Sequence, residues 1–394
     1  MARFTGVEMV GETSMPSSPA VEALRERVGS DPGAVEEFVS GHELPLAEPP
    51  LYTFVYRGAA DAVRLRHWIF GLPSSQPFAR LPGTDLWYRT VEIPDDSRLE
   101  YKIEVLQGGG ARWIEDPFND ARARDPFGAN SVLAARGYEV PSWGTPNPSV
   151  PAGSFDEVVL ESEVFGETRH FPVYRPARFR ETRRYPLLVV YDGPDYLEYA
   201  NLAAVLDNLT HALEIPGMIV ACVGAGDRMR EYTGDERHAR YVVEEVIPRL
   251  EDSYPLIEGA QARGLAGASL GAVAAFDVAR RYPDRFGRLL LQSGSFAFTD
   301  IGESERGPAF EPIVEMMNDY RADPFRLAAK AFVSVGVYES LVWENRALIP
   351  VLRRTGMEVQ FVEARDGHNW ENWRDRLRAG LSWLFPGPLW MVYE

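Results

Sequence analysis

Beyond about residue 156, the chain alternates short, continuously apolar runs with helical patterns. Strands that are apolar on both faces must be covered on both faces, and helices that connect parallel strands provide this cover. We therefore predict an α/β fold with a mostly parallel sheet and helices on both sides. In such a sheet, ligands bind at the carboxyl ends of the strands. The predicted strands read PLLVVYDG, GMIVACVGAG, ARGLAGAS, GRLLLQSG, AKAFVSVGV and MEVQFVEAR.

The residues before this region have a different sequence pattern and composition. Residues 49–140 contain short aromatic and β-branched runs of period two, such as LYTFVYR and LEYKIEVL, which predicts an immunoglobulin-like β-sandwich. Residues 1–48 are polar, with two short helical patterns, and residues 141–155 are rich in Pro, Gly and Ser, as a linker would be. We expect the domain that contains the parallel sheet to span 156–394.

Charge and composition exclude several classes of function. The net charge of −17 argues against nucleic acids and anionic membranes as partners, because both bind basic faces. No segment has the eighteen or so uninterrupted apolar residues of a membrane span, and the first residues lack the apolar core of a signal peptide, so we expect a cytoplasmic protein. Cys222 is the one cysteine, and the six histidines have no metal-ligand spacing, so we expect neither a metal nor a cofactor.

The segment GLAGASLGAVAAF carries a Gly-x-Ser-x-Gly pattern between a predicted strand and a predicted helix. This is the setting of a nucleophile elbow, in which a strained serine projects its hydroxyl above the sheet. Gly267 and Gly271 would relieve crowding where the strand and the helix nearly touch. Ser269 is therefore the predicted nucleophile, and the Leu270 N–H is predicted to face a developing oxyanion. A plain turn of small residues is the alternative.

A serine nucleophile needs a base. In an α/β-hydrolase, the fold that we expect for the catalytic domain over 156–394, the catalytic residues follow the chain order Ser, acid, His. His368 is the one histidine after Ser269, and it follows the last predicted strand, so it is the predicted base. The acid is expected after the strand AKAFVSVG, where Glu339 comes first. A dyad with a backbone or water partner also remains open. The other carboxylates to weigh are Glu344, Asp366 and Asp300.

The second oxyanion donor is expected in the loop after PLLVVYDG. Pro194 has no N–H to donate. Gly193 is therefore the predicted donor, and Asp195 is the weaker option. The same Asp-Gly-Pro-Asp sequence is also typical of a plain turn with no role in the chemistry.

Longer stretches resemble the enterochelin (enterobactin) esterase family, within the esterase D-like hydrolases, over nearly the full length of the chain. AGASLGAVAAFDVARRYPDRFGRLLLQSGSF is similar to the nucleophile region of that family, including its Ser-Gly-Ser-Phe end. DGHNWENWRDRL is similar to its histidine block, and DRMREYTG to its Arg-x-x-Glu segment. The stretches that resemble its N-terminal module are LYTFVYRG, GTDLWYRTVEIP, EDPFND, FGANSVL and VPSW.

The resemblance implies a hydrolase of ester bonds in a catecholate siderophore, a serine trilactone that carries dihydroxybenzoyl groups. Its partner would be a small-molecule ester such as a ferric catecholate complex, with Ser269 as the nucleophile and His368 as the base. Arg228, in the Arg-x-x-Glu segment, is a candidate substrate contact or else part of a surface salt bridge. Trp370 is a candidate to flank an aryl group of the substrate, or else it anchors the last helix.

The sequence is also compatible with two functions other than a siderophore esterase. Many proteins with this architecture act on feruloyl or acetyl esters of plant polysaccharides, and the sandwich would then bind the glycan. The third possibility is a non-catalytic binding protein on a hydrolase scaffold. The presence of both Ser269 and His368 counts against a non-catalytic role.

Overall fold

The computed structural model describes residues 15–302 and 307–387 of the 394-residue chain. The first fourteen residues of the predicted polar lead lie outside the described residues. The chain forms two compact units, one up to Glu139 and one from Val140 onward. The predicted division into a sandwich over 49–140 and a linker over 141–155 stays a prediction.

From residue 15 onward, the first unit contains two short helices and two antiparallel sheets. The strand order is β1-β2-β6-β5 in one sheet and β4-β3-β7-β10-β9 in the other, where β8 also pairs with β7. Phe54 on β2 packs edge-on against Tyr101 on β7 with ring centroids 4.7 Å apart, so the two sheets share a core. The elements are α1 (Pro19–Val28), α2 (Ala34–Gly41), β1 (Leu46–Glu48), β2 (Leu51–Arg57), β3 (Ala62–His67), β4 (Ser75–Pro77), β5 (Ala79–Arg80), β6 (Leu86–Glu92), β7 (Arg98–Gln107), β8 (Gly110–Ile114), β9 (Arg122–Asp125) and β10 (Gly128–Ala134).

The second unit is built on one sheet of eight strands in the order β11-β12-β14-β13-β15-β16-β17-β18. The hairpin of β11 and β12 joins it antiparallel, and every pair from β14 to β18 is parallel. The prediction of a mostly parallel sheet is confirmed. The strands are β11 (Ser154–Ser162), β12 (Glu167–Arg175), β13 (Leu187–Tyr191), β14 (Ile219–Val223), β15 (Arg263–Ala268), β16 (Arg288–Gln292), β17 (Lys330–Gly336) and β18 (Glu358–Ala364).

Helices cover both faces of this sheet. Val189 on β13 belongs to a core shared with α8 and α10, whereas its neighbour Val190 belongs to a second core shared with α4 and α11. Because successive strand residues point to opposite faces, each apolar run must be buried on both sides. The helices are α3 (Gly193–Tyr199), α4 (Leu202–His211), α5 (Arg228–Glu231), α6 (Glu236–Arg240), α7 (Ile247–Ser253), α8 (Leu270–Arg281), α9 (Glu311–Ala322), α10 (Val342–Arg354) and α11 (Trp370–Leu384), with a π-helical turn at Tyr241–Val246 and 3₁₀ turns at Ser142–Gly144, Ala260–Ala262 and Pro308–Phe310.

Within the described residues, the helices are all too short or too polar to cross a membrane.

Candidate active site

Ser269 lies at the sharp turn between β15 and α8. Its backbone has φ 56° and ψ −121°, a strained combination for a residue with a side chain. A Cβ on Gly267 would lie 2.4 Å from the carbonyl oxygen of Gly271, so only glycine allows the strand and the helix to approach this closely. The geometry is that of a nucleophile elbow, as the Gly-x-Ser-x-Gly pattern predicts.

The atoms around Ser269 hold the turn in place. Its N–H donates to the Gln292 carbonyl oxygen at 3.0 Å, and its own carbonyl oxygen accepts from the Ser295 N–H at 3.2 Å. Its Oγ lies 3.4 Å from Ser295 Oγ. Leu270 is the first residue of α8, where backbone N–H groups have no partner inside the helix. That N–H therefore has no acceptor within α8, and its role as an oxyanion donor stays a prediction.

His368 and Glu339 are brought together although 28 residues separate them in the chain. His368 Nδ1 lies 2.5 Å from Glu339 Oε2, and the glutamate side chain is only 3% exposed. Glu339 follows β17 and His368 follows β18, so both lie at the carboxyl edge that also carries Ser269. Among the described residues, no hydrogen bond joins Ser269 Oγ to the His368 ring. Such bonds are often long before a substrate binds.

The other candidate acids have different surroundings. Asp366 Oδ1 accepts hydrogen bonds from the Gly367 N–H at 2.7 Å and from Asn369 Nδ2 at 2.8 Å. Glu344 is buried on α10 with its carboxylate against Gly302. Asp300, 65% exposed, forms an ion pair with an arginine of α9. Glu339 is therefore the candidate that the fold places against His368.

The sequence predicts a loop after β13, but in the structure helix α3 begins there. Gly193 is its first residue, so its N–H also lies at a helix start. A Cβ on Gly193 would lie 2.2 Å from Cys222 Cα on the neighbouring strand, which excludes any larger residue. Burial raises the pKa of the Cys222 thiol to about 12, so this cysteine packs as a small apolar side chain. Asp195 lies in the first turn of the same helix.

Arg228 forms an ion pair with Asp192, the residue just before α3. Its Nε donates to Asp192 Oδ1 at 3.0 Å and its Nη2 to Oδ2 at 2.9 Å. The carboxylate also lies beside the elbow, because a Cβ on Gly271 would be 3.1 Å from Asp192 Oδ2. Arg228 keeps 43% of its side chain exposed. Sequence reasoning missed Asp192, which has a left-handed φ of 51°, because its importance depends on its contact with Arg228.

Trp370, the first residue of α11, is buried within a group of aromatic side chains. Its ring meets Tyr196 and Trp373 edge-on, with centroids 5.2 and 4.7 Å away. These contacts fix the start of α11 next to His368, whose ring packs edge-on against Trp373 at 5.1 Å. A contact between Trp370 and a substrate aryl group stays a prediction.

Glu231, the last residue of the Arg-x-x-Glu segment, forms a buried hydrogen-bond network. Its carboxylate accepts hydrogen bonds from Arg169 Nη2 at 2.8 Å and from the Gly226 N–H at 2.9 Å. His238 Nδ1 lies 3.1 Å from its second oxygen. Burial alone would raise the pKa of Glu231, but the hydrogen bonds from His238 and Arg169 outweigh it and lower the pKa from 4.5 to about 2.

The Glu231 network makes stability dependent on pH. A lowered pKa means that ionised Glu231 stabilises the folded state above pH 4.5, and that this contribution is lost as the pH falls towards 2. It amounts to roughly 3 kcal/mol. Glu231→Gln should lower the free energy of unfolding at neutral pH, and the difference from wild type should shrink as the pH falls from about 5 to about 2. Denaturant titrations measure this. Glu236→Gln, 72% exposed, is the matched control; a pH-independent difference would contradict the expectation.

Comparison with known proteins identifies the family. The profile of the family described as "Putative esterase" matches residues 162–384, more than half of the chain. The chain belongs to this esterase family. The predicted carboxylic ester hydrolase activity and the predicted resemblance to enterochelin esterases are both confirmed.

The relatives of this esterase include enterobactin esterases and a xylanase/feruloyl esterase. The iron(III) enterobactin esterase of Dickeya dadantii is 26% identical over 350 residues, which cover 79% of this chain and 80% of that protein. The endo-1,4-beta-xylanase/feruloyl esterase of Xylanibacter ruminicola is 23% identical over 295 residues, which cover 66% of this chain and 39% of that protein. The solved ferric enterobactin esterase of Salmonella typhimurium aligns with a TM-score of 0.72 and 22% identity over 88% of this chain and 96% of that one. That likeness shows an α/β-hydrolase-like fold.

Proposed function

We propose that this esterase hydrolyses its substrate through a serine acyl-enzyme, with Ser269 as the nucleophile, His368 as the base and Glu339 as the acid. The observation that carries the proposal is the 2.5 Å contact between His368 Nδ1 and Glu339 Oε2, on the same sheet edge as the strained Ser269. A serine, a histidine and a buried carboxylate in this chain order are the components of the Ser-His-acid mechanism on this fold.

The acylation step assigns a role to each of these residues. Glu339 accepts a hydrogen bond from His368 Nδ1–H, which leaves Nε2 free to take the Ser269 proton. Ser269 Oγ then attacks the ester carbonyl carbon, and the negative charge that develops on the carbonyl oxygen is held by the Leu270 N–H and by the Gly193 N–H. As the tetrahedral intermediate collapses, the alcohol leaves with the proton from His368.

Water completes the cycle. His368 removes a proton from a water molecule, whose oxygen attacks the acyl carbon bound to Ser269. The same N–H donors stabilise the second oxyanion, and His368 returns the proton to Ser269 Oγ as the acid is released. No metal or cofactor is required for any of these steps.

We further propose that the substrate is the trilactone of a catecholate siderophore, similar to enterobactin. The support is the alignment with the enterobactin esterase of Dickeya dadantii, which runs over four fifths of both proteins. Since the net charge of −17 repels an anionic ferric complex, local cations must attract it. Arg228 is the candidate, because almost half of its side chain remains exposed beside the proposed oxyanion donors.

The proposal also includes the first unit. Its two antiparallel sheets with a shared core support an immunoglobulin-like sandwich over 49–140, and the second unit supports a catalytic domain over 156–394. In this arrangement all proposed reacting groups belong to the second unit.

A second candidate substrate class is feruloyl or acetyl esters of polysaccharides. The observation that favours it is the alignment with a xylanase/feruloyl esterase, although it covers only 39% of that protein. We expect kcat/KM for enterobactin to exceed that for feruloyl esters by on the order of 10²-fold or more, because a site built for one acyl and alcohol pair discriminates strongly against others.

The test is a panel of hydrolysis assays on enterobactin, its ferric complex, feruloyl oligosaccharides and p-nitrophenyl acetate, with products separated by chromatography. Arg228→Gln, which removes the cation but keeps a polar side chain, should raise KM more for the ferric complex than for uncharged p-nitrophenyl acetate. Faster turnover of feruloyl oligosaccharides than of enterobactin would assign the second class instead.

A further inference from the structure

Ser293, just after β16, has an unusual conformation for its residue type. Its φ is 45°, in the left-handed region that disfavours residues with a side chain, and it is completely buried. Its N–H donates to the Ser334 carbonyl oxygen at 2.7 Å. A buried serine held in a strained conformation needs a compensating contact, and its hydroxyl makes two.

The direction of both hydrogen bonds follows from chemistry. Trp373 Nε1–H can only donate, so Ser293 Oγ accepts it at 2.9 Å. An ionised carboxylate can only accept, so the Ser293 hydroxyl proton points to Glu339 Oε1, 2.6 Å away. The indole thus orients the serine hydroxyl, and the hydroxyl orients the glutamate.

The two oxygens of the Glu339 carboxylate have different hydrogen-bond partners. Oε1 accepts from Ser293 Oγ and from the Gly336 N–H, both at 2.6 Å. Oε2 is then directed to His368 Nδ1. Trp373 also packs edge-on against the His368 ring. The same indole therefore contacts both His368 and Ser293.

We propose that Ser293 is a positioning residue for ester hydrolysis: its hydroxyl fixes the rotamer of Glu339 so that Oε2 meets His368. It does not touch the reacting atoms and acts only through Glu339. This inference rests on the proposed roles of Ser269, His368 and Glu339. It assigns a chemical reason to the Ser-Gly-Ser-Phe sequence at the end of the nucleophile region.

The test is Ser293→Ala, measured as kcat and KM on p-nitrophenyl acetate. We expect kcat to fall about 10- to 10²-fold with KM nearly unchanged, which is typical when the group that orients a catalytic side chain is removed. In a Glu339→Gln background the same substitution should cost almost nothing more, because the residue through which Ser293 acts is already altered. Losses that multiply in the double variant would show a merely structural role and overturn the proposal.

Two further variants separate the hydroxyl from the backbone and from folding. Ser293→Gly also lacks the hydroxyl but suits the positive φ, so it should be at least as stable as Ser293→Ala and equally slow. Ser131→Ala, which removes another fully buried serine hydroxyl that accepts the Asp116 N–H, should leave kcat unchanged. Wild-type kcat in both Ser293 variants, with Ser269→Ala inactive, would overturn this inference alone. An active Ser269→Ala would overturn the proposed function itself.

Discussion

Ser269→Ala should lower kcat about 10⁴-fold on both p-nitrophenyl acetate and enterobactin, because the attacking oxygen is lost while the oxyanion donors remain. KM should change little, since the hydroxyl contributes to the transition state more than to substrate binding. A fluorophosphonate probe should label the wild-type protein at Ser269 and leave the variant unlabelled. Full esterase activity in Ser269→Ala would rule out the serine mechanism.

Ser269→Gly is the matched control for this experiment. Glycine accepts the φ of 56° that strains the serine, so this variant should be at least as stable as wild type. It should nevertheless be as inactive as Ser269→Ala. If both variants are stable and inactive, the loss of esterase activity is caused by removal of the hydroxyl and not by a change in the conformation of the elbow.

Glu339→Gln should lower kcat about 10³- to 10⁴-fold. The glutamine carbonyl oxygen would take the place that accepts from Ser293 and Gly336, which turns the amide N–H₂ towards His368 Nδ1. His368 would then need an unprotonated Nδ1, and the proton on Nε2 would prevent it from acting as a base. The change should appear in kcat and leave the fold intact, because the side chain keeps its shape.

Asp366→Asn and Glu344→Gln are the comparison variants, since each replaces a buried carboxylate of the same region. Neither carboxylate forms the contact with His368 Nδ1 that Glu339 forms. Both variants should keep most of the wild-type kcat. A larger loss in either one than in Glu339→Gln would transfer the role of the acid to that residue.

The sheet and its main helices could be predicted from the sequence because they depend on local patterns. Apolar runs that alternate with helical patterns indicate a parallel sheet, and this prediction does not depend on the sequence of the rest of the chain. Ser269, Glu339 and His368 could be predicted to lie at one edge of the sheet for a related reason. Each follows a strand of that sheet, and strands of a parallel sheet end at a common edge.

Other features depend on contacts that no local pattern encodes. Asp192 and Ser293 both have positive φ, and their partners, Arg228 and Glu339, lie 36 and 46 residues further along the chain. Aspartate tolerates positive φ better than serine does, but tertiary contacts determine which Asp or Ser adopts it. Helix α3 is a different case, because Pro194 at its start and an acidic residue in its first turn are local signals of a helix N-terminus.

The position of β18 has a consequence for how the protein becomes active. It is the outermost strand on its side of the sheet, with β17 as its partner, and it leads directly into His368. During synthesis, His368 is the last of the three proposed reacting residues to emerge, and β18 can pair only after β17 is in place. A newly made chain therefore has no competent site until the final strand docks. Under the proposed mechanism, activity therefore requires β18 to be docked, and fraying of this one strand would displace the proposed base, His368, while the inner strands of the sheet stay paired.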